Sequence, residues 1–359
     1  MKVGIVGLSS SGKTTLFRAL TRGTVRTEDH GGTANVGVVT VPDRRVDFMA
    51  EEYKPKKITH ASIEFIDGAA RVTTDNGRAH FGSEFFVDVR QVDALAHVVR
   101  AFEMPGADPP SPIQDLQTLS DELTIADLQI VENRMERLEK QLHGVKKGAV
   151  TPATIEAAIL ERVRERLEAG KAPKLTDFSA EEEKAVRGYE FLTLNPTIAV
   201  LNIPEDEITA PSETTREFAT HCDAAGIPHV ALCAEFEMEA AELSDEEESE
   251  FLSSMGIERP GRDVLIPKCY AALGVISFIT AGPPEARAWT LKQGSTALDA
   301  AGTVHTDMAR GFIRAEVAAF TDVESAGGWE AAKQQGLTRL QGKDYLVQDG
   351  DVICIRFKV

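Results

Sequence analysis

Gly7-Leu8-Ser9-Ser10-Ser11-Gly12-Lys13-Thr14 has the form G-x-x-x-x-G-K-T, and it stands between the β-rich Val3-Gly4-Ile5-Val6 and the helix-forming Thr15-Leu16-Phe17-Arg18-Ala19-Leu20. A strand, a glycine-bounded loop and a helix in that order make a phosphate-binding turn. The glycines let backbone N–H groups curl around phosphate oxygens, and the start of the helix adds its positive dipole end. Lys13 reaches the outer phosphates, and the Thr14 hydroxyl is placed to ligate Mg2+. Such contacts are mostly made by backbone. Ser9, Ser10, Ser11 and Thr15 therefore count as binding positions beside Gly7, Gly12, Lys13 and Thr14, whatever their side chains.

Outward from this loop, β-rich runs at 36–41, 63–66 and 94–99 alternate with helical stretches up to about residue 120. That is the pattern of βα units around a mostly parallel sheet. The run at 94–99, Ala-Leu-Ala-His-Val-Val, is continuously apolar but for His97, which reads as a packed core residue. The pattern resumes at 197–201 and 229–232. In open α/β sheets, ligands bind at the carboxyl ends of the strands. Asp67 follows one such strand and stands there either as a water-mediated Mg2+ partner or as a loop carboxylate capping the next element. Asn202-Ile203-Pro204-Glu205 and Cys233-Ala234-Glu235 follow two others, so these loops would enclose a purine ring; an Asn at a strand end is also a common turn residue.

Between the two halves of this α/β pattern the period changes. From Ser120 onward Leu128, Val131, Met135, Leu138 and Leu142 recur at spacings of three and four, the seam of a coiled-coil-like helix that Gly144 would end. Thr151-Pro152 opens a second helix carrying Ile155, Ile159, Val163 and Leu167, and Ser179 with Glu182 forms a capping-box pattern for a third. The expected organisation is α/β. A discontinuous P-loop domain covers 1–120 and 195–274, an inserted helical coiled-coil arm covers 121–194, and a small α+β module covers 275–359. In that module 276–279 would pair with 286–290, and the Asp349-Gly350-Asp351 turn would join 345–347 to 352–357 as a hairpin.

At about 150 residues per domain, 359 residues suffice for two to three cores. The formal charge of −18, from 39 Lys plus Arg against 57 Asp plus Glu, opposes distributed attraction to nucleic acid or anionic lipid. Neither specific DNA binding nor membrane association is expected, and a nucleic-acid contact would need a local basic patch. Residues 134–174 supply one, with ten Lys plus Arg against six Glu. Residues 235–250 carry nine acidic side chains and read as a solvated helix face. Cys222, Cys233, Cys269 and Cys354 form no C-x-x-C pair and read as reduced interior residues. No apolar run approaches the ~18 residues of a membrane span, so the expected compartment is the cytoplasm.

The ordered combination resembles the YchF-type, Obg-like ATPases, a branch of the translation-factor class of P-loop NTPases. The resemblance spans the chain and is strongest near its end, at Thr280-Ala281-Gly282-Pro283, Arg287-Ala288-Trp289-Thr290, Ala301-Gly302-Thr303-Val304-His305-Thr306-Asp307, Arg310-Gly311-Phe312-Ile313-Arg314-Ala315-Glu316 and Gly342-Lys343-Asp344-Tyr345-Leu346-Val347. It implies a ubiquitin-like β-grasp (TGS) module there, a nucleotide-binding core with a two-helix arm, and ribosome-associated regulation, with ribosomal RNA met through the arm or the TGS module. Asn35-Val36-Gly37-Val38-Val39 fits the family's second strand.

Within this family Asn-x-x-Glu stands where GTPases carry Asn-Lys-x-Asp. An aspartate at the fourth position accepts paired hydrogen bonds from guanine, and Glu205, one methylene longer and preceded by Pro204, weakens that reading. ATP is therefore expected to bind at least as well as GTP, with Mg2+ as cofactor. The chain departs from the family at Asp67-Gly68-Ala69-Ala70-Arg71, where Asp-Ile-Ala-Gly-Leu would stand. Ala70 keeps an N–H for a γ-phosphate but loses glycine's freedom, and Arg71 is either a transition-state cation in cis or a surface residue. Thr33 lies near the family's switch threonine and is a third Mg2+ position. The leading expectation is a slow ATPase switch. A GTP-binding translation factor and a nucleotide-binding scaffold without turnover are the alternatives.

Overall fold

The structure is a computed structural model that describes residues 1–25, 34–68, 73–75, 78–144, 146 and 149–358; Thr33, Ala70, Arg71 and Lys147 fall outside the described residues. The chain forms two compact units, one of 1–37 and 64–265, the other of 38–63 and 266–359. In chain order the elements up to the second half of the parallel sheet are β1 (Lys2–Val6), α1 (Lys13–Leu20), β2 (Asn35–Thr40), α2 (Arg44–Tyr53), β3 (Ile58–Thr59), β4 (Ser62–Asp67), β5 (Thr73–Asp75), β6 (Arg78–His80), α3 (Ser83–Arg90) and β7 (Ala94–Arg100). They continue with α4 (Pro112–Leu142), α5 (Pro152–Glu168), α6 (Ala180–Arg187), β8 (Thr197–Asn202), α7 (Glu213–Ala225), β9 (His229–Leu232), α8 (Ala234–Ala241), α9 (Asp245–Ser254) and α10 (Gly261–Ala272).

A six-stranded sheet of order β2-β4-β1-β7-β8-β9 centres the first unit, and β1 pairs in parallel with β4 and β7, β7 with β8, and β8 with β9. Every residue from Ala94 to Val99 is buried, as helices on both faces of a parallel strand require. The register sets Ile5 opposite Asp67, and Asn202 opposite both Arg100 and Leu232. Parallel pairing thus delivers the phosphate loop, Asp67, Asn202 and Cys233 to one sheet edge.

The arm begins earlier than its heptad spacing suggests. Helix α4 starts at Pro112 and runs unbroken for 31 residues, about 46 Å at 1.5 Å per residue. Leu116, Leu119 and Leu123 pack on the sheet, whereas Val131 and Leu138 pack with Ile159, Leu160, Val163 and Leu167 of α5. The expected boundary at 120 therefore falls inside a helix. Pro112 occupies the first helical turn, where its missing N–H costs nothing. The capping box of Ser179 and Glu182 forms as expected, and Thr151 makes another with Thr154.

In the second unit β10 (Val275–Ala281), β11 (Ala286–Lys292), α11 (Ala297–Val304), α12 (Thr306–Arg310), β12 (Phe312–Ala319), α13 (Phe320–Ala326), α14 (Trp329–Gln334), β13 (Arg339–Gln341) and β14 (Asp351–Phe357) follow. Their sheet has the order β13-β12-β14-β10-β11-β3 over a core of Phe278, Leu291, Ala300, Val317 and Ile353. Phe278 faces Trp289 across the expected β10–β11 pair. Two expectations are corrected. Residues 38–63 belong here rather than with the nucleotide domain, because Ile58 and Thr59 extend the sheet beside β11. The hairpin of 345–347 with 352–357 does not form: β14 pairs with β12 and β10, and Leu346 makes a lone bridge to Thr296. The carboxylate of Asp351 instead accepts from Tyr345 Oη and Gln348 N, closing the turn on itself. Cys354, on β14, is exposed and not interior.

Candidate nucleotide-binding site

The loop between β1 and α1 needs both its glycines. Gly7 has φ 151°, and a Cβ there would lie 2.3 Å from the Val98 carbonyl oxygen; Gly12 has φ 95°, and its Cβ would lie 2.2 Å from Asn202 Nδ2. Ser10 also takes a left-handed φ of 60°. Gly12 is the N-cap of α1 and gives no side-chain cap. The first N–H groups of that helix are thus directed out of its end together with its dipole, an arrangement suited to anionic oxygens. Ser9 and Ser10 are exposed, and Ser11 is buried with its hydroxyl unpartnered.

Lys13 Nζ donates to the Leu8 carbonyl at 2.7 Å, and Thr14 Oγ1 donates to Asp67 Oδ2 at 3.0 Å. Burial pulls the Lys13 ammonium below its ordinary range, with Asp67 opposing. Burial raises the Asp67 carboxyl, and hydrogen bonds from Thr14 and Asn35 with the charge of Lys13 work against it. A hydroxyl and a carboxylate at this separation fit Mg2+, which takes one or two protein oxygens and fills its octahedron from phosphate and water. Among the described residues no cluster of three His, Cys, Asp or Glu is arranged to hold a metal unaided. Asn35 was read only as the start of a strand, and its part in the site depends on β2 lying beside β4, an order no local pattern reveals.

Asn202 has a different task from direct purine contact alone. Its Nδ2 donates to the Ser11 carbonyl at 3.0 Å and its Oδ1 accepts from Ala234 N at 2.9 Å, tying the phosphate loop to the start of α8. One Nδ2 hydrogen and one Oδ1 lone pair remain. Ile203 is 4% exposed and packs in the core beneath β8. Glu205 and Glu235 are exposed, and Cys233 is buried at the N-cap of α8, where burial raises its thiol. Behind this edge lies a brace that sequence reading missed. Arg262, 3% exposed, pairs with Glu237 and Glu248, Glu237 accepts from Gly261 N and Arg262 N, and Arg22 bonds Asp245 and Glu248. Two of the nine acids in 235–250 are therefore buried ion partners, not a solvated face. Their cation is remote in sequence, so no local signal marks them.

A parallel α/β sheet with this loop and these strand-end residues defines a P-loop NTPase of the GTPase type. The family described as "50S ribosome-binding GTPase" matches residues 2–134, and the one described as "Protein of unknown function (DUF933)", a YchF GTPase C-terminal family, matches 275–358. The chain is 40% identical to "Ribosome-binding ATPase YchF" of Haemophilus influenzae, covering 100% of this chain and 99% of that protein. It is 39% identical to the protein of the same name in Bacillus subtilis, over 100% of both. The structure of the Schizosaccharomyces pombe YchF GTPase superposes with a TM-score of 0.84 at 29% identity, covering 99% of this chain and 97% of that one. The chain belongs to the YchF family, as its sequence motifs implied.

Proposed function

We propose that the chain is a Mg2+-dependent nucleotide switch that binds ATP at least as well as GTP, hydrolyses it slowly and works on the ribosome. The observation that carries this reading is the convergence at one sheet edge of the Gly7–Thr14 loop, the Thr14–Asp67 pair and the Asn202–Ser11 bond. In this reading the N–H groups from Ser9 to Thr15 hold phosphate oxygens, and Lys13 exchanges the Leu8 carbonyl for them. Thr14 and Asp67 would hold Mg2+, which would supply positive charge against the charge that develops on the phosphates. Asn202 and the Ala234 backbone border the base, and Glu205 leaves guanine without the aspartate it needs. The segment after Asp67 brings no Gln or His to orient water, so turnover is slow. This reading assigns transition-state charge to Arg71, a γ-phosphate contact to the Ala70 N–H and a metal role to Thr33, all three outside the described residues.

The ribosome enters through the names of the relatives and the charge of the arm. Arg134 is paired with Glu156, Arg162 with Glu182, and Arg164 with Glu161 and Glu168. Arg137, Lys140 and Lys146, by contrast, are exposed and make no ion pair among the described residues. These cations suit RNA phosphates. No helix among the described residues is long and apolar enough to cross a membrane, and work on ribosomes places the protein in the cytoplasm.

Titration calorimetry with Mg–ATP and Mg–GTP, followed by phosphate release on the same sample, tests the nucleotide reading. ATP affinity equal to or above that for GTP is expected, with slow release. A GTP preference of about a hundredfold, ~2.7 kcal/mol, overturns it, and binding without release makes the chain a scaffold. Co-sedimentation with ribosomes should weaken as salt rises, and Lys146→Glu with Lys147→Glu should flatten that slope. Unchanged sedimentation at every salt concentration moves the contact to the terminal module.

A further inference from the structure

The base side of the nucleotide edge is supported from within the sheet on one flank. Strand β9 is the last of the parallel sheet and pairs with β8, and its four residues end at Leu232, where Cys233 and Ala234 turn into α8. On the other flank the start of α10 meets this turn. A Cβ on Gly261 would lie 2.7 Å from Leu232 Cβ, and the Glu237 carboxylate accepts from the N–H groups of both Gly261 and Arg262. Glu237 stands one helical turn after Cys233, whose carbonyl its own N–H meets at 2.9 Å. The Arg262 guanidinium lies 3.6 Å from the same carboxylate and pairs with Glu248 of α9, which also receives Arg22 from just beyond the end of α1. Helix α1 begins at the phosphate loop and packs against α8. These contacts close a ring through α1, α9, α10 and α8, and the ring ends one turn from Ala234 N, which donates to Asn202 Oδ1. A buried ion network of this kind adds little stability over apolar packing. A carboxylate on two backbone N–H groups does fix the place of α8 within the narrow range of hydrogen-bond geometry.

We propose that Glu237 is a positioning residue for base recognition: held by Gly261 and Arg262, it sets where Asn202 and Ala234 meet the purine. The inference rests on the reading that those two residues border the base. The phosphate loop takes its shape from its own glycine backbone and does not depend on this support. The test compares Mg–ATP with Mg–ribose 5′-triphosphate, which lacks only the base, by calorimetry on the full-length chain. The ratio of the two affinities measures what the base contributes. Glu237→Gln keeps the size of the side chain but removes its charge and turns an amide NH2 toward one of the two backbone donors. It should lower the ratio about tenfold, the loss of one charge-assisted bond, while ribose triphosphate affinity stays within about twofold. Arg22→Gln, at the half-exposed end of the ring, should lower the ratio about threefold and carries the test if Glu237→Gln does not fold. Val163→Ala, in the core of the arm, lowers stability without touching the ring and should leave the ratio as in the wild type. An unchanged ratio in the ring variants, an equal fall in both affinities, or the same shift in Val163→Ala overturns the proposal and leaves the ring a structural brace. A wild type that binds ribose triphosphate as tightly as ATP refutes the base reading itself, and the proposal with it.

Discussion

On the phosphate side of the nucleotide edge, Gly7 and Gly12 are fixed by left-handed backbone and by neighbours 2.3 and 2.2 Å from where a Cβ would stand. On the base side, Asn202 holds its place through two side-chain hydrogen bonds and Glu205 lies exposed on a short turn. On the proposed reading one side meets its ligand with backbone, the other with side chains. Ser9-Ser10-Ser11 can therefore differ from the family pattern while backbone N–H groups still hold phosphate, whereas a single methylene at position 205 would bear on which base is read. The largest effect should therefore come from disturbing the backbone. Gly12→Ala forces a Cβ into Asn202 Nδ2 at a φ that L-residues adopt at a cost of about 1–2 kcal/mol. Calorimetry should show Mg–ATP affinity down at least about a hundredfold, with the far-ultraviolet circular dichroism of the sheet retained. A loss under threefold would break the contrast between the two sides.

Asn202→Ala tests the tie between the sides. It leaves the Ser11 carbonyl and the Ala234 N–H without their partner in a buried place, a cost of about 1–3 kcal/mol. Thermal unfolding should fall accordingly, and affinity for ATP and GTP alike should fall about thirtyfold, ~2 kcal/mol. Loss confined to one nucleotide would make Asn202 a reader of the base rather than a strut.

How much of this was legible beforehand follows the same division. The phosphate loop, the parallel strands and the Asp67 edge are local patterns, and each appears where the sequence puts it. What failed was non-local. The burial of Glu237 and Glu248 depends on Arg262, whose distance in sequence hides the pairing. The placement of 38–63 depends on Ile58 and Thr59 finding the edge of β11 and on α2 packing against β10 and β11, with Arg45 paired to Asp349. His97, by contrast, reads as core from its apolar neighbours, and it is buried. The start of α4 at Pro112 lies ahead of the heptad seam by which the arm is read, in the stretch whose leucines pack on the sheet.

Asp67 lies on the phosphate side yet acts through its side chain, so it sharpens the comparison. Burial raises its folded-state pKa above the unfolded value of 3.8. Between those values the folded chain binds more protons than the unfolded one, so this group's contribution to stability falls as pH rises through that window. Asp67→Asn should accordingly raise the melting temperature of the nucleotide-free protein at pH 7, and the gain should shrink as pH approaches 4. The same variant should lose about tenfold, ~1.4 kcal/mol, in Mg2+-supported nucleotide affinity. A melting temperature lower than wild type at pH 7 would show that the bonds from Thr14 and Asn35 outweigh the burial of the charge.

The smallest effect belongs to Glu205, where recognition depends on the reach of one exposed carboxylate. Pro204 precedes it with ψ 161°, which fixes the direction in which the short turn of Glu205–Glu207 leaves the strand end. Glu207, farther along the same turn, is already engaged by Ser212 N and Thr215 Oγ1 and is not available to replace it. Glu205→Asp shortens the side chain toward the geometry that pairs with the two guanine donors, but it leaves the turn itself unchanged. GTP should therefore gain only about threefold over ATP, ~0.6 kcal/mol, well below the discrimination of a site built for guanine. Glu205→Ala should leave ATP affinity within about twofold, because an exposed carboxylate has no complementary donor on adenine's hydrogen-bonding edge beyond the exocyclic amine. Competition binding of the two nucleotides in both variants gives the answer. If Glu205→Ala weakens ATP tenfold, the carboxylate is accepting that amine and the base side is more sharply built than its exposure indicates. If Glu205→Asp instead raises GTP affinity a hundredfold, the turn was already in guanine-reading position and the single methylene was all that held selectivity back.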